Sequence, residues 1–387
     1  MQIFLQLLIA GIATGAIYAL MAVGLGLLWQ TSGAINFAQG EFIMLPAFVM
    51  LWAMGFFGVG LIPAFLIALV LMMISLGFFF KEALADPLLG YGTVPAWALT
   101  LIFAAILNPI LRWAWSSAGL VLLLDGFMLN VAGSKINLSQ IATFVISLAL
   151  VAFFQNLPKL LGQAKTDPLI KSMGDVPLII ATIGLGVILK ESARNIWGAN
   201  ALPFPTLVED QIINLGGFRF GIADLVTLAI AVLIITGLQI FLNKTFVGRS
   251  MEATAQNPET ARILGINVDR MILYTYLINA ALVTAAALLV TPSLFAKFST
   301  GEVFGLIAFM AAIVGGFNQV RGALFGGFLL GIIDNFAKFY LVKTPIPFLA
   351  DPVNLTPYAA AIPLILLIIV ILFKPEGLFG RREERTI

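Results

Sequence analysis

Long apolar stretches and short polar connections alternate along the whole chain. Each apolar stretch is close to the ~20 residues that an α-helix needs to cross the hydrocarbon core of a bilayer. A membrane β-barrel would show segments of about ten residues with alternating polarity instead. We therefore predict an all-α polytopic membrane protein with about 10–11 transmembrane helices. The predicted spans are residues 3–29, 42–58, 61–80, 96–116, 139–157, 176–196, 222–243, 271–291, 303–319, 322–341 and 357–373.

The first apolar stretch is too long for a signal peptide and has no basic region before it, so we interpret it as a span. The polar stretch TSGAINFAQGEF, residues 31–42, comes directly after it. Ser32 and Gly33 are expected to break the first helix. Two interpretations of the rest stay open: a short cytoplasmic turn, or non-helical backbone at membrane depth that is buried in protein or lines a wet cavity.

In the second interpretation the stretch is either an inner gate or part of a broken, re-entrant pair of spans. Its amides can satisfy freed backbone groups or meet a polar solute, and its phenylalanine can contact an apolar one. The candidate residues of the translocation pathway are Asn36, Phe37, Gln39, Gly40 and Glu41.

Residues 244–270 form a long hydrophilic segment between two apolar stretches. Asn257-Pro258-Glu259 has the composition of a helix start, with an Asn cap, Pro at the first helical position and an acid in the first turn. Gly265 suits the left-handed conformation that ends many helices, and Asn267 can cap the next helix. The pattern predicts two short helices on the cytoplasmic surface that end in a tight glycine turn.

Small residues with a spacing of four mark positions where helices approach closely within a membrane. Such pairs indicate helix packing and have no transport role by themselves. The three GxxxG pairs are Gly11 with Gly15, Gly322 with Gly326, and Gly327 with Gly331.

The composition excludes several kinds of chemistry. Charged residues make up only 10% of the chain, against about 25% in typical proteins. The chain has no cysteine and no histidine, so thiol chemistry is impossible and the commonest metal ligand is missing. It also lacks the GxxxxGK[ST] phosphate loop. We therefore do not expect a metalloenzyme, a His-based catalyst or an ATPase. Our prediction is a protein that is not an enzyme, with no catalytic residues, metal site or cofactor of its own; it also includes no nucleic-acid partner, although the net charge of +2 does not bear on that.

The acids considered as candidate functional residues are Glu41, beside an apolar stretch, and Asp334, within one. An ionisable group inside a span is a candidate functional residue, because its burial in lipid is costly. The alternative for each is a residue near a helix end that reaches water or caps a neighbouring element. Glu191 and Arg194, one helical turn apart, are predicted to pair with each other.

Several segments resemble one family of membrane proteins. GRSMEATAQNPETARILGINVDRM (248–271) resembles the cytoplasmic coupling segment, GRAxRAxAxNxxxAxLxGI, of the branched-chain-amino-acid class of ABC importer permeases. Glu252 departs from this pattern, since many members carry Arg there. Four further segments resemble motifs of the same family in the same order: GAIYALMAVGLGLLWQTSGAINFAQGEF (15–42), PLIIATIGLGVIL (177–189), IVGGFNQVRGALFGGFLLGIID (313–334) and FKPEGLFG (373–380).

The resemblance implies the membrane subunit of an importer for small amphipathic solutes, with leucine, isoleucine and valine as the default and related amides or organic acids as variants. It implies a second homologous permease, two cytoplasmic ATPases that bind ATP and Mg²⁺, a periplasmic solute-binding protein, and a bacterial inner membrane. An ion-gradient-driven carrier is the alternative. The residues that it places in the coupling segment are Arg249, Glu252, Ala253, Asn257, Ala261, Leu264 and Gly265.

The chain is expected to form a single permease domain, residues 1–387, and it departs from the family in one region. Residues 86–166 are an insertion that we predict to add two transmembrane helices, because an even number preserves the topology of the downstream spans. The basic residues of 244–270 and of the C-terminal tail place both regions in the cytoplasm. This arrangement leaves the N-terminus outside.

Overall fold

A computed structural model describes most of the chain. The described residues are 2–33, 35–85, 128–131, 134–137, 176–208, 211–215, 218–317, 319–341, 358–359 and 361–380. The chain comprises two compact units, one formed by Met1–Phe48 with Leu189–Ile387 and the other by Val49–Ile188.

Helices account for nearly all of the regular structure in the described ranges. The helices are α1 (Gln2–Ser32), α2 (Gln39–Phe57), α3 (Leu61–Met73), which continues as a π-helix (Ile74–Ala85), α4 (Val176–Trp197), α5 (Ile222–Lys244), α6 (Phe246–Gln256), α7 (Pro258–Ile263), α8 (Val268–Leu294), α9 (Thr300–Gly315), α10 (Val320–Tyr340) and α11 (Ala361–Phe373). Two antiparallel hairpins are also present: β1 (Met128–Val131) with β2 (Ser134–Asn137), and β3 (Ile212–Leu215) with β4 (Phe218–Gly221).

Five helices in the described part of the chain are long and apolar enough to cross a membrane, namely α1, α2, α5, α8 and α10. α9, α11 and the helix that begins at Leu61 are shorter and equally apolar. The prediction of an all-α polytopic membrane protein is therefore confirmed. The predicted spans 96–116 and 139–157 lie outside the described residues, as does most of the predicted insertion 86–166.

In the first unit, α1 is the central helix. It packs against α5, α8, α9 and α10, and residues 15–28 are all buried. α8 is the most buried of the five candidate spans, whereas α5 is the least buried. A helix that is apolar all round and largely uncovered by its own chain suits a lipid-facing position.

Glycines let α10 approach helices on two of its faces. A Cβ added at Gly15 of α1 would lie 2.8 Å from the Cα of Phe328, and one added at Gly11 would lie 2.9 Å from the Cα of Ile332. On the other face of α10, Gly322 and Gly326 meet the backbone of α9 in the same way. Gly327 and Gly331 meet the backbone of α1 at Ala19 and Gly15. All three GxxxG pairs therefore lie at helix contacts without room for a side chain.

The hydrophilic segment forms the predicted pair of short helices. Asn257 caps α7 by accepting a 2.9 Å hydrogen bond from the backbone N–H of Thr260. Gly265 has a φ of 82°, the left-handed conformation that a glycine turn requires. Asn267 caps α8 by accepting from the N–H of Arg270 at 3.0 Å. Local cap chemistry alone thus defines the three helix boundaries.

The second unit contains the latter part of α2, α3 and the π-helix. Ala64, Ala68 and Met72 are buried on one face of α3 at helical spacing. Trp52 stacks on Phe56, with ring centroids 5.2 Å apart, and Phe57 meets both rings edge-on. The β1–β2 hairpin pairs Met128 with Asn137 and lies within the predicted insertion.

Candidate functional site

The break after α1 turns the chain back into the protein. α1 ends at Ser32, where a break was predicted, and Gly33 takes a φ of 68°. A Cβ added at Gly24 would lie 3.6 Å from the Nε2 of Gln39. Gly24 is eight residues before the end of α1, or about 12 Å at 1.5 Å per residue. Residues 35–38 therefore lie alongside α1, and α2 begins beside the interior of α1 at Gly24 and not at its end. The re-entrant interpretation of this stretch agrees with this geometry.

α9 begins at a similar level. Tyr18 lies in the middle of α1, and Phe304 lies in the first turns of α9. Their rings meet edge-on, with centroids 5.9 Å apart. Two helix N-termini, those of α2 and α9, thus lie well inside the helical unit. Each carries partial positive charge from the dipole of its helix.

Glycines form the contact between these two helix starts. A Cβ added at Gly40 would lie 3.0 Å from the Cα of Gly305 and would overlap the carbonyl of Gly301. A Cβ at Gly301 would lie 2.8 Å from both the backbone oxygen of Gly40 and the carboxyl carbon of Glu41. No side chain fits at these positions unless the helices separate. Gly40 therefore sets the distance between α2 and α9.

Gln39 is held by a residue of α8. Its Nε2 donates to the Oδ1 of Asn279 at 2.8 Å, and the Nδ2 of Asn279 donates to its Oε1 at 3.1 Å. Gln39 is 2% exposed and Asn279 is fully buried. The paired amides satisfy each other in a region from which water is excluded. Gln39 thus secures the start of α2 in this conformation and does not face open space.

Asn36 and Phe37 occupy the break itself. The Oδ1 of Asn36 accepts a hydrogen bond from the backbone N–H of Ala38 at 3.0 Å, which satisfies one freed backbone group. The Nδ2 of Asn36 is buried and has no hydrogen-bond partner. Phe37 is 45% exposed, and its ring lies 5.8 Å from that of Phe309 on α9. The break therefore offers one free amide donor beside one exposed aromatic ring.

Glu41 lies in the first turn of α2 and is only 5% exposed. Its Oε2 is buried without a hydrogen-bond partner. Lys190 of α4 and Glu302 of α9 form an ion pair with each other, and both of their charges act on Glu41. The group therefore contains two carboxylates and one ammonium, with one carboxylate oxygen unused.

The second predicted acid has a different environment. The Oδ2 of Asp334 accepts hydrogen bonds from the hydroxyl of Tyr18 at 2.9 Å and from the Nζ of Lys338 at 2.6 Å. Asp334 is 3% exposed, so it does not reach water. The adjacent Asn335 donates to the hydroxyl of Thr14 at 3.0 Å. These bonds join α1 to α10 and give Asp334 a structural role.

The candidate coupling residues divide into an exposed and a buried set. Leu264 is 72% exposed, and its neighbour Ile263 is 85% exposed. Ala261 is buried, so the side of α7 that carries it packs against the protein. On α6, Arg249 and Glu252 are exposed, Ala253 is half-buried, and Met251 and Thr254 are buried. The remaining candidates, Asn257 and Gly265, are both exposed. The pair of helices therefore has one face that packs on the protein and one exposed face.

Sequence reasoning did not find Asn279, Gly301, Gly305 or the Lys190–Glu302 pair. A signal existed for Asn279, which interrupts the apolar run LINAALV and is a polar residue in the middle of a span. The other residues gave none, because their importance comes from partners on other helices. The Glu191–Arg194 pair was predicted and is present, with Nη1 and Oε2 3.5 Å apart.

The fold and these sites define a multi-pass membrane protein with a helix break inside its helical unit and a capped pair of helices on its surface. Residues 131–371 match the family model described as "Branched-chain amino acid transport system / permease component". The chain belongs to this family of permease components. The match supports the permease prediction and not the alternative of an ion-gradient-driven carrier.

Two relatives match nearly the whole chain, and a third matches about two thirds of it. A high-affinity branched-chain amino acid transport system permease protein, BraD of Pseudomonas aeruginosa, is 25% identical over 99% of this chain and 98% of its own length. The corresponding protein LivH of Escherichia coli K12 is 25% identical over the same shares. A probable branched-chain amino acid transport permease protein LivH of Methanocaldococcus jannaschii is 29% identical over 65% of this chain and 80% of its own length. No solved structure matches the chain significantly.

Proposed function

We propose that this chain is the permease subunit of an ABC importer that moves branched-chain amino acids, or similar small amphipathic solutes, across the bacterial inner membrane. The observation that carries the proposal is the re-entrant break between α1 and α2. Non-helical backbone at membrane depth is stable only where protein or a wet cavity surrounds it. Here it brings together a free amide donor, an exposed ring and a buried carboxylate. This is the mixture of groups that an amphipathic solute needs.

In this proposal the pathway residues are Asn36, Phe37, Gly40 and Glu41, and Gln39 positions them. Asn36 offers its Nδ2 to the solute. Phe37 and the ring of Phe309 contact the apolar part of the solute. Gly40 lets α2 and α9 cross closely enough for the two helix N-termini to face the same region.

In this proposal, the α6–α7 pair is the site at which movement of an ATPase is transmitted to the permease. α6 packs against α1, α5 and α8, so a displacement of α6 reaches three helices of the unit directly. Gly248 holds α6 tightly at the end of α5, because a Cβ there would lie 2.6 Å from the carbonyl oxygen of Leu242. The exposed face with Arg249, Ile263 and Leu264 is free to dock in a groove of an ATPase. Movement of that ATPase would then shift the helices as rigid bodies.

The proposed assembly contains this chain, a second homologous permease, two cytoplasmic ATPases and a periplasmic solute-binding protein. The names of the relatives support it, because each describes a component of a transport system. The chain itself hydrolyses no ATP; ATP and Mg²⁺ are bound by the partner ATPases.

The test is to express the tagged chain with its native partners and to reconstitute the purified complex in proteoliposomes. We expect an ATPase to copurify, and leucine uptake to require both ATP and the binding protein. The variant Leu264→Asp should release the ATPase, because it places a charge on the apolar docking face. Tyr358→Asp is the matched control, since Tyr358 is similarly exposed, at 68%, and is predicted to lie on the external side. Uptake that needs no ATPase, or equal loss of the ATPase in both variants, would contradict the proposal.

A further inference from the structure

We infer that Glu41 is the residue of the pathway that binds the protonated amine of the solute, so that this permease selects ammonium-bearing solutes over neutral amides and amine-free acids. The inference rests on the proposed function and deepens it. The side chain of Glu41 is only 5% exposed, and its Oε2 has no hydrogen-bond partner.

A buried carboxylate without a partner is costly, because desolvation removes its hydration and nothing replaces it. The cation whose charge acts on it, Lys190, is already paired with Glu302. When both carboxyl groups are ionised, Glu41, Glu302 and Lys190 together carry one negative charge in excess. The group therefore lacks one cation.

The N-terminus of α2 does not replace that cation. An acid in the first turn of a helix gains only a weak stabilisation from the helix dipole, which is smaller than the cost of desolvating an ion. The helix dipole thus orients Glu41 but does not neutralise it. Gly301 leaves the space that the carboxylate occupies, since a Cβ there would lie 2.8 Å from its carboxyl carbon. The backbone is shaped to keep this carboxylate in place.

The ion pair whose charges act on Glu41 is partly exposed. The side chain of Lys190 is 22% exposed and that of Glu302 is 57% exposed, so we expect a solute to approach Glu41 from the side of this pair. A zwitterionic solute that enters along this side meets carboxylates for its ammonium and Lys190 for its carboxylate. An ammonium–carboxylate hydrogen bond is among the stronger polar contacts in proteins. A neutral amide or an amine-free acid cannot replace the missing cation.

The experiment compares Glu41→Gln, which keeps the shape of the side chain, with Glu41→Asp, which keeps its charge. Both are measured in the reconstituted complex with its binding protein, as leucine uptake and as the uptake ratio of leucine to 4-methylpentanoate. We expect Glu41→Gln to lower leucine uptake at least tenfold and to lower the ratio, and Glu41→Asp to retain more uptake than Glu41→Gln. Glu191→Gln is the matched control, because Glu191 is an exposed acid that pairs only with Arg194 among the described residues.

Three outcomes would overturn the inference while leaving the proposed function intact. One is wild-type leucine uptake in Glu41→Gln. Another is a milder defect in Glu41→Gln than in Glu41→Asp, which would mean that shape and not charge matters. The third is uptake that depends on Na⁺ in the wild type and loses this dependence in Glu41→Gln, because the missing cation would then be sodium. A wild-type complex that moves no leucine at all would instead contradict the proposed function.

Discussion

The side-chain amides of Gln39 and Asn279 exchange two hydrogen bonds, at 2.8 and 3.1 Å, although 240 positions separate them in the sequence. Each amide is buried, so each depends on the other for its polar groups. The pair joins the start of α2 to the middle of α8 and fixes where the re-entrant break ends.

The effects of removing the two amides should therefore not be additive. Asn279→Leu or Gln39→Met alone leaves a buried amide without a partner, and we expect a loss of about 1–3 kcal/mol in the free energy of unfolding. The double variant leaves no unpaired amide and should lose less than the sum of the single variants. Denaturant unfolding of the detergent-solubilised protein measures all three. Additive losses would show that the two amides do not depend on each other.

The glycine contact between α2 and α9 predicts a position-dependent effect of one methyl group. Gly40→Ala would place a Cβ 3.0 Å from the Cα of Gly305 and against the carbonyl of Gly301, so the helices must move apart. We expect a loss of about 1–3 kcal/mol in stability, together with impaired uptake.

Gly55→Ala is the matched control in the same helix. Nothing lies within 4 Å of a Cβ at Gly55, so this change should be neutral or stabilise α2 by up to about 1 kcal/mol, because alanine favours helices more than glycine does. Thermal unfolding of both variants tests the contact. If both behave alike, the close approach at Gly40 does not control stability.

The Tyr18–Asp334 hydrogen bond predicts a second buried link, between α1 and α10. Tyr18→Phe removes one of the two donors to the Oδ2 of Asp334 and leaves only Lys338. We expect a loss of about 1–3 kcal/mol in the free energy of unfolding, since the acceptor is charged. Transport per folded molecule should stay close to wild type, because this acid has a structural role. The exposed Tyr358→Phe serves as the control, and a selective loss of transport in Tyr18→Phe would contradict the structural assignment.

The turn after α7 predicts a local effect on energy coupling. Gly265 has a φ of 82°, and a residue with a Cβ in this left-handed conformation is strained by about 1–2 kcal/mol. We therefore expect Gly265→Ala to loosen α7, visible as faster hydrogen exchange in residues 257–267, and to lower uptake per ATP hydrolysed. Gly237→Ala, within α5 and with nothing within 4 Å of a Cβ, should change neither. Equal hydrogen exchange in the two variants would remove the turn from the coupling mechanism.

Sequence reasoning succeeded where the determinants are local. The span predicted at 271–291 is part of α8 (Val268–Leu294), and the span predicted at 322–341 agrees with α10 (Val320–Tyr340) within two residues. The caps at Asn257 and Asn267 were predicted because three or four consecutive residues determine where a helix starts. The position of the helix break was predicted in the same way from Ser32 and Gly33.

The candidate site was less predictable because its partners are distant in sequence. Gln39 was expected to meet backbone or solute, but its partner is Asn279 on α8. Asp334 was considered as a residue that reaches water, but Tyr18 and Lys338 enclose it. Neither pairing leaves a periodic pattern, since each depends on how two helices rotate when they pack. The roles of the pathway and coupling residues in transport remain predictions, which uptake measurements on their variants address.

The two glycine faces of α10 have a mechanical consequence. Side chains can change rotamer and so let helices slide, but backbone pressed against backbone has no such freedom. α10 is held in this way by α1 on one face and by α9 on the other. We therefore expect these three helices to move as one rigid body. α6 packs against α1 and therefore contacts this rigid body directly. We therefore expect any alternation between outward and inward access to take place where other helices slide along α1, α9 and α10, and not between these three helices.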